Sequence, residues 1–580
     1  MIVGYTGTER NLVIPDRLKG HPVVGLGWRA FKGSDLISVV VPESVTSFDY
    51  SVFSDCTKLT AVTLPSTMTE MPSSMFAGCT SLTSIALPEG VTTINGGLFM
   101  GCVNLREVSL PSTLTAIGSE TFRNCASLTS IDLPEGLTTI ASGLFDGCVS
   151  LREIGWPSAL TSIGSKAFRG CAALTSITLP EGVTVIGSNA FTDCANLREI
   201  VWPSTLAEIG SFAFEGCEGL MAAELPEGLR TLGVGAFSGC ASLAQVTLPG
   251  TVETVGSGAF ENCASLAAVT IPGGVQTVGS GAFMGCVSLG EVTLLPGVRQ
   301  IDHDAFSGCK ALKRIEIPAS VTSIGGAFAH CANLTEIVIA ADHPDWYVSG
   351  DLVLDRSGTL IMCMPASKAV RLSIPEDVTA IGAYACYGCD HLIRAEIPDR
   401  VESVGQYALA NWTRLEYMGL PGDMTEVPAG LFHGCAMLAH VTLPKGLTTI
   451  WEEAFSGCAA LERVTFPETL RFIGEGAFRG SGLRKLTFPP LTGCDLGAFH
   501  HCKALTEVRL MDGATEMPYA GFIGCDSLRD VYIPASATYM GTEGFDDLSK
   551  VTFHVVRGSE AESHMIERGL NYKTDYPVTK

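Results

Sequence analysis

By residue type and spacing, three places in the chain could do chemistry. Cys386-Tyr387-Gly388-Cys389 has the C-x-x-C form used in thiol–disulfide exchange or as half of a zinc site, since two thiols so spaced can meet one sulfur or one metal ion. His500-His501 and Asp302-His303-Asp304 set imidazoles and carboxylates close enough to share a cation. None is completed. No second C-x-x-C follows, the histidines have no partners at metal-ligand spacing, and Cys386 stands where matching segments carry the phenylalanine of Ala-Phe-x-x-Cys. All three are read as framework or solvated surface. The chain has neither a G-x-x-x-x-G-K phosphate loop nor a strand-to-helix G-x-G-x-x-G unit. Catalysis needs an acid, a base or a nucleophile gathered in a cleft, which a repeat would betray as breaks that collect unlike residues. No such break is visible, so no catalytic residue, metal or cofactor is expected, and the chain is read as no enzyme.

The cysteines themselves are a ruler. Cys56, Cys79, Cys102, Cys125, Cys148 and Cys171 open a series that steps by 23 residues to Cys309. Each sits in the same sentence, read at Ala167 to Gly187 and again at Ala259 to Gly279. A fixed period of this length means that one unit cannot bury its apolar side alone and must stack on its neighbours. In one unit, Leu174 to Pro180 alternates inward Ile177 and Leu179 with outward Ser176 and Thr178, which predicts a short strand. Pro180 ends it, having no N–H for a ladder. Val183 and Ile186 return along a second side, Gly187 makes a corner, and Ala190-Phe191 with Cys194 fills the outer side in a helical or 3₁₀ turn. The expected fold is a β-rich α/β solenoid: a curved array with one long parallel sheet on the concave side and short helical or 3₁₀ segments on the convex side. Ladder thiols beside phenylalanine are expected as buried, free, compact apolar fillers, and Ser481 and Trp412 replace them without any paired loss.

Composition narrows the partners. The chain has 580 residues, 37 Lys and Arg against 60 Asp and Glu, and a formal net charge of −23. DNA, RNA and anionic membranes reward the opposite sign, so nucleic acid is not an expected partner. The opening MIVGYTGTER carries no basic and apolar leader pattern, and no stretch is long and apolar enough to span a bilayer. Asp575 to Lys580 lacks an apolar tail, so Leu64-Pro-Ser-Thr-Met68 and Leu110-Pro-Ser-Thr-Leu114 are read as repeat corners rather than as sorting signals.

The pattern resembles the BspA-type leucine-rich repeats: proline follows the strand, Gly-x-x-Ala-Phe-x-x-Cys fills the outer side, and there is no asparagine ladder. The resemblance implies a surface or secreted protein of the kind found in oral and gut bacteria and some parasitic protists, binding host or microbial macromolecules. An intracellular interaction scaffold is the alternative. Residues 1–34 are similar to the family's N-terminal cap with a first partial repeat, and 547–580 to its C-terminal cap, a short helix and a final strand. Repeats are expected over 35–340 and 369–546. Residues 341–368 interrupt them with a β-hairpin, Asp351 to Asp355 and Thr359 to Met364 around Arg356-Ser357-Gly358, replacing one convex side and leaving the sheet continuous into a fresh strand from Arg371 to Pro375. From Thr80 to Ser211 the units also alternate in type, Leu-Arg-Glu against Leu-Thr-Ser, as if copied in pairs.

One outward row departs from this acidic background. The residue before each inward valine reads Ser84, Glu107, Ser130, Glu153, Ser176 and Glu199 early, but Arg371, Arg394, Tyr417, His440, Arg463 and Lys485 late. Stacked strands would set these side chains about 5 Å apart, a basic stripe with aromatic interruptions suited to an acidic protein or glycan.

Overall fold

The computed structural model describes residues 1–517, 521–538 and 544–577, so the last three residues of the Asp575–Lys580 stretch lie outside them. It is a β-solenoid in two compact units, Met1–Leu312 with Ser320–Thr322, and Lys313–Ala319 with Ser323–Lys580. In the first unit, three-residue strands such as Ser176–Thr178 lie on one side of each coil and two-residue strands such as Val185–Ile186 on a second. Ile177, Leu179, Val183 and Ile186 point inward and are buried, as the alternation predicts. Phenylalanine fills the third side. Phe168, Phe191 and Phe214 stack face to face at 5.1 and 5.2 Å and are fully shielded from solvent. The thiol of Cys194 donates to the Phe168 carbonyl at 3.2 Å, and this bond recurs along the ladder.

Two features differ from the sequence expectation. The phenylalanine side is not helical. Ala190, Thr192 and Cys194 donate three residues back, but Asn189, Phe191 and Asp193 donate to Ser211, Ala213 and Glu215 of the next coil. A helix would keep all these N–H groups to itself. Sharing them between coils requires turns with positive φ, which Asn189 (58°) and Asp193 (61°) supply, both residue types that tolerate the left-handed region.

The strands also join differently. The continuous ladder of the first unit is the two-residue one, eight strands from Thr139–Ile140 to Gln300–Ile301. The longer strands pair mainly two by two: Ser84–Ala86 with Glu107–Ser109, Ser130–Asp132 with Glu153–Gly155, Ser176–Thr178 with Glu199–Val201. Within such pairs Leu87, Leu133 and Leu179 donate their N–H onward to Ser109, Gly155 and Val201. The two-unit copying pattern is thus a hydrogen-bonding pattern as well.

In the second unit the interruption has three antiparallel strands, Trp346–Ser349, Leu352–Asp355 and Thr359–Cys363, one more than the hairpin expected. Its placement is also the reverse of the expectation. The outer turns close over the insertion, with Gly326 against Tyr384 and Tyr387 and Gly388 against Ala329. The hairpin's last strand instead continues the two-residue ladder, Leu360 pairing with Ile381 in parallel. Among the described residues no ladder joins Glu336–Ile339 to the next coil, and the fresh strand shrinks to one bridge between Arg371 and Arg394.

The ends are covered. Tyr5 packs on Phe31 at 5.4 Å and Asn11–Val13 pairs with Ser38–Val40. At the other end a helix, Glu560–Glu567, starts at Ser559, whose hydroxyl accepts the Glu562 N–H, and Tyr572–Lys573 adds the last strand.

Candidate functional site

The outward row is set by strand register. Arg394, Tyr417 and His440 are direct partners across adjacent parallel strands, and Arg371 bridges to Arg394, so four of the six residues share one column. Adjacent members are about 4.8 Å apart along it. Arg463 occupies the matching position of the next coil, where no strand forms, and Lys485 opens Lys485–Phe488, which belongs to a separate sheet continuing through Glu507 and Asp530. The column is therefore continuous to His440 and interrupted beyond it.

Neighbouring carboxylates decide how much charge the row offers. Arg371 pairs with Glu396 at 3.1 Å and Lys485 with Glu507 at 2.6 Å, so both are largely neutralised. Glu416 forms no ion pair among the described residues. Arg394 and Arg463 are exposed and make neither an ion pair nor a side-chain hydrogen bond among those residues. Tyr417 is 45% exposed and stands between Arg394 and His440 in the register. This surface can receive an anion and stack against an apolar or sugar face, but it has no enclosed acid or base.

The other sequence candidates are tied into the framework. His303 bonds Ser280 of the preceding coil at 2.9 Å, and Asp302 accepts from Gln300. His500 and His501 meet edge to face and lie over Gly497 and Gly524. Cys386 and Cys389 are fully buried. Among the described residues no group of three or more His, Cys, Asp or Glu is arranged to hold a metal ion, and no helix is long and apolar enough to cross a membrane.

Three arrangements escaped the sequence reading. Cys363 joins Cys386 and Cys389 in one buried cluster, and the signal for it was present, since Cys363 and Cys386 are one ladder interval apart. On the outer turns Tyr384 stacks on Tyr407 at 5.2 Å, and the Tyr407 hydroxyl donates to Glu453. Near the C-terminal end, the guanidinium of Arg509 lies 4.0 Å from the Tyr532 ring centre, Tyr532 stacks on His554, and the ring nitrogens of His554 meet Asp530 and Asp575. The imidazole holds the Asp575 carboxyl below its ordinary value. Both are periodic rows, readable only once the outward register is known.

A family model described as a BspA type leucine rich repeat region matches residues 25–152, 138–267, 253–345, 364–484 and 425–552. Comparison with curated protein sequences gives no significant match. Among solved structures, a leucine-rich repeat protein from Bacteroides ovatus is 26% identical over 69% of this chain and 93% of its own, with a TM-score of 0.48. A leucine rich cell surface protein from Faecalibacterium prausnitzii is 27% identical over 58% of this chain and 90% of its own, with a TM-score of 0.35. A leucine rich repeat protein from T. pallidum is 36% identical over 30% of this chain and 81% of its own, with a TM-score of 0.28.

Proposed function

Because the chain belongs to the BspA-type leucine-rich repeat family, we propose that it is a non-enzymatic binding protein, displayed at a cell surface or secreted, that attaches to host or microbial macromolecules. Its ligand is an acidic protein or glycan held along Arg371, Arg394, Tyr417, His440, Arg463 and Lys485. One observation carries this reading: on a chain of net charge −23, Arg394 and Arg463 stand exposed without a counter-charge, and Arg394 shares its register column with Tyr417 and His440. Uncompensated arginines attract an anionic partner at long range, and an exposed tyrosine between them adds contact area at low entropic cost.

The test is binding to immobilised acidic proteins and sulfated glycans at physiological salt, comparing the native chain with an Arg394→Glu/Arg463→Glu variant. A ligand retained by the native chain and lost by the variant supports the stripe. Equal retention would move the contact to another surface.

A further inference from the structure

Cys363 ends the hairpin strand Thr359–Cys363, and its N–H donates to the Ala385 carbonyl at 2.7 Å. In regular coils the ladder phenylalanine makes this bond, as Phe168 does to Ala190. Cys363 therefore occupies a phenylalanine slot, and Cys386 occupies the next. Cys389 fills the ordinary cysteine slot, its sulfur 3.9 Å from the Cys363 carbonyl oxygen, just as Cys194 addresses Phe168. Three thiols thus converge where other coils hold two benzyl rings and one thiol. Cys363, Cys386 and Cys389 lie in one buried core cluster. Both ring nitrogens of His391, beside Cys363, are shielded from solvent without a partner of good hydrogen-bond geometry.

We propose that Cys363 and Cys386 are a redox couple that closes to a disulfide when the protein meets a small-molecule disulfide of the glutathione type, stapling the hairpin to the coil beside it. Successive slots on neighbouring coils are about 4.8 Å apart, inside the Cα separation of about 4.4–6.8 Å that a disulfide accepts. The Cys363 thiolate attacks one sulfur of the small disulfide and expels the other half as a thiolate, leaving a mixed disulfide. Cys386 then gives up its proton and attacks the Cys363 sulfur, expelling the second half. Two protein thiols are oxidised by two electrons, one small disulfide is reduced to two small thiols, and these keep both protons.

The attacking role falls to Cys363 for two reasons. It ends a strand of the inserted hairpin, whereas Cys386 and Cys389 belong to the regular coil that follows. Its thiol is also held well below the ordinary cysteine range by hydrogen bonds from Cys386 and Cys389, with His391 adding to the effect. Most ladder thiols behave oppositely: burial pushes Cys102, Cys148, Cys194 and Cys240 up to about 12, which leaves them unreactive.

The full chain is incubated with oxidised glutathione under native conditions, quenched with an alkylating agent and mapped by peptide mass spectrometry. The expected result is loss of two of the 21 thiols, one cross-link between the Cys363 and Cys386 peptides, and slower amide exchange over Trp346 to Asp355. Cys363→Ser should abolish the cross-link and Cys389→Ala should keep it, with an unchanged circular dichroism spectrum confirming that each variant folds. Retention of all thiols, a stable glutathione adduct on Cys363, or a cross-link at Cys363–Cys389 or Cys263–Cys286 instead would overturn the proposal.

Discussion

The carboxylate of Glu181 accepts the backbone N–H of Ser204 at 3.0 Å and the Ser204 hydroxyl at 2.9 Å, tying the proline corner of one coil to that of the next. Glu43 to Ser66, Glu89 to Ser112 and Glu135 to Ser158 repeat the contact every second coil. In this stretch Pro-Glu and Pro-Ser corners alternate, which sets the two-coil interval. The same pairs of coils share the ladder of longer strands. Corner chemistry and strand pairing therefore agree on a two-coil unit.

Acid should open the Glu135–Ser158 corner. The Ser158 hydroxyl, and then its N–H, hold the Glu135 carboxyl below its ordinary value. A carboxyl whose folded pKa is depressed contributes stability above its unfolded pKa and loses that contribution as pH falls through the folded one. Hydrogen exchange corrected for intrinsic rate should show protection of the Ser158 N–H falling by roughly threefold to tenfold as the carboxyl protonates, and already lost at neutral pH in Glu135→Ala. Protection that ignores both changes would mean that the corner is held by the backbone alone.

Phe191→Ala removes one ring from a stack in which it lies between Phe168 and Phe214. The local cost should be about 3–5 kcal/mol, as for other large-to-small changes in a core. In a solenoid this loss stays near the site, so calorimetry should give a split or broadened transition. A single sharp transition at the native midpoint would contradict the layer.

Much of this architecture was legible from spacing. The interval from Cys56 to Cys309 gives the coil length, and the alternation of Ser176, Ile177, Thr178 and Leu179 gives the inward and outward faces. The outer turns were not legible, because Gly187, Ala190 and Cys194 are three and then four residues apart, as on one face of a helical turn. What separates the two is the destination of the Phe191 N–H, which lies one coil away. The third strand of the insertion, Trp346–Ser349, was hidden because only Trp346 is buried, so its four residues show no clear inward and outward alternation. For the stripe, outward position followed from the repeat, while the ion pairs of Arg371 and Lys485 depend on Glu396 and Glu507, which lie on neighbouring coils.

Trp412 and Cys386 exchange sizes. Trp412 stands in a cysteine slot and Cys386 in a phenylalanine slot, and the indole N–H donates to the Cys386 carbonyl in place of the usual thiol. Trp412→Cys alone should leave a void and cost about 3–5 kcal/mol, and Cys386→Phe alone should overpack at about 1–3 kcal/mol. Together they restore the regular pair, so the double variant should be more stable than either single one, a coupling read from a double-mutant cycle by chemical denaturation. Additive losses would show that the two slots do not share volume.

Charge reversal provides the last prediction. Arg394→Glu/Arg463→Glu changes the net charge as much as Arg106→Glu/Arg152→Glu does, and all four arginines are exposed. Only the first pair lies on the proposed stripe. Exposed charges are screened beyond about 8–10 Å at physiological ionic strength, so the first pair should slow association with an acidic ligand several-fold at low salt and much less at high salt. The second pair should produce only the smaller change due to net charge. Surface plasmon resonance across a salt series separates the two, since a specific stripe gives diverging association rates as salt falls. Parallel curves would reduce Arg394 and Arg463 to solvated surface charges and point to the hairpin around Arg356 as the next surface to probe.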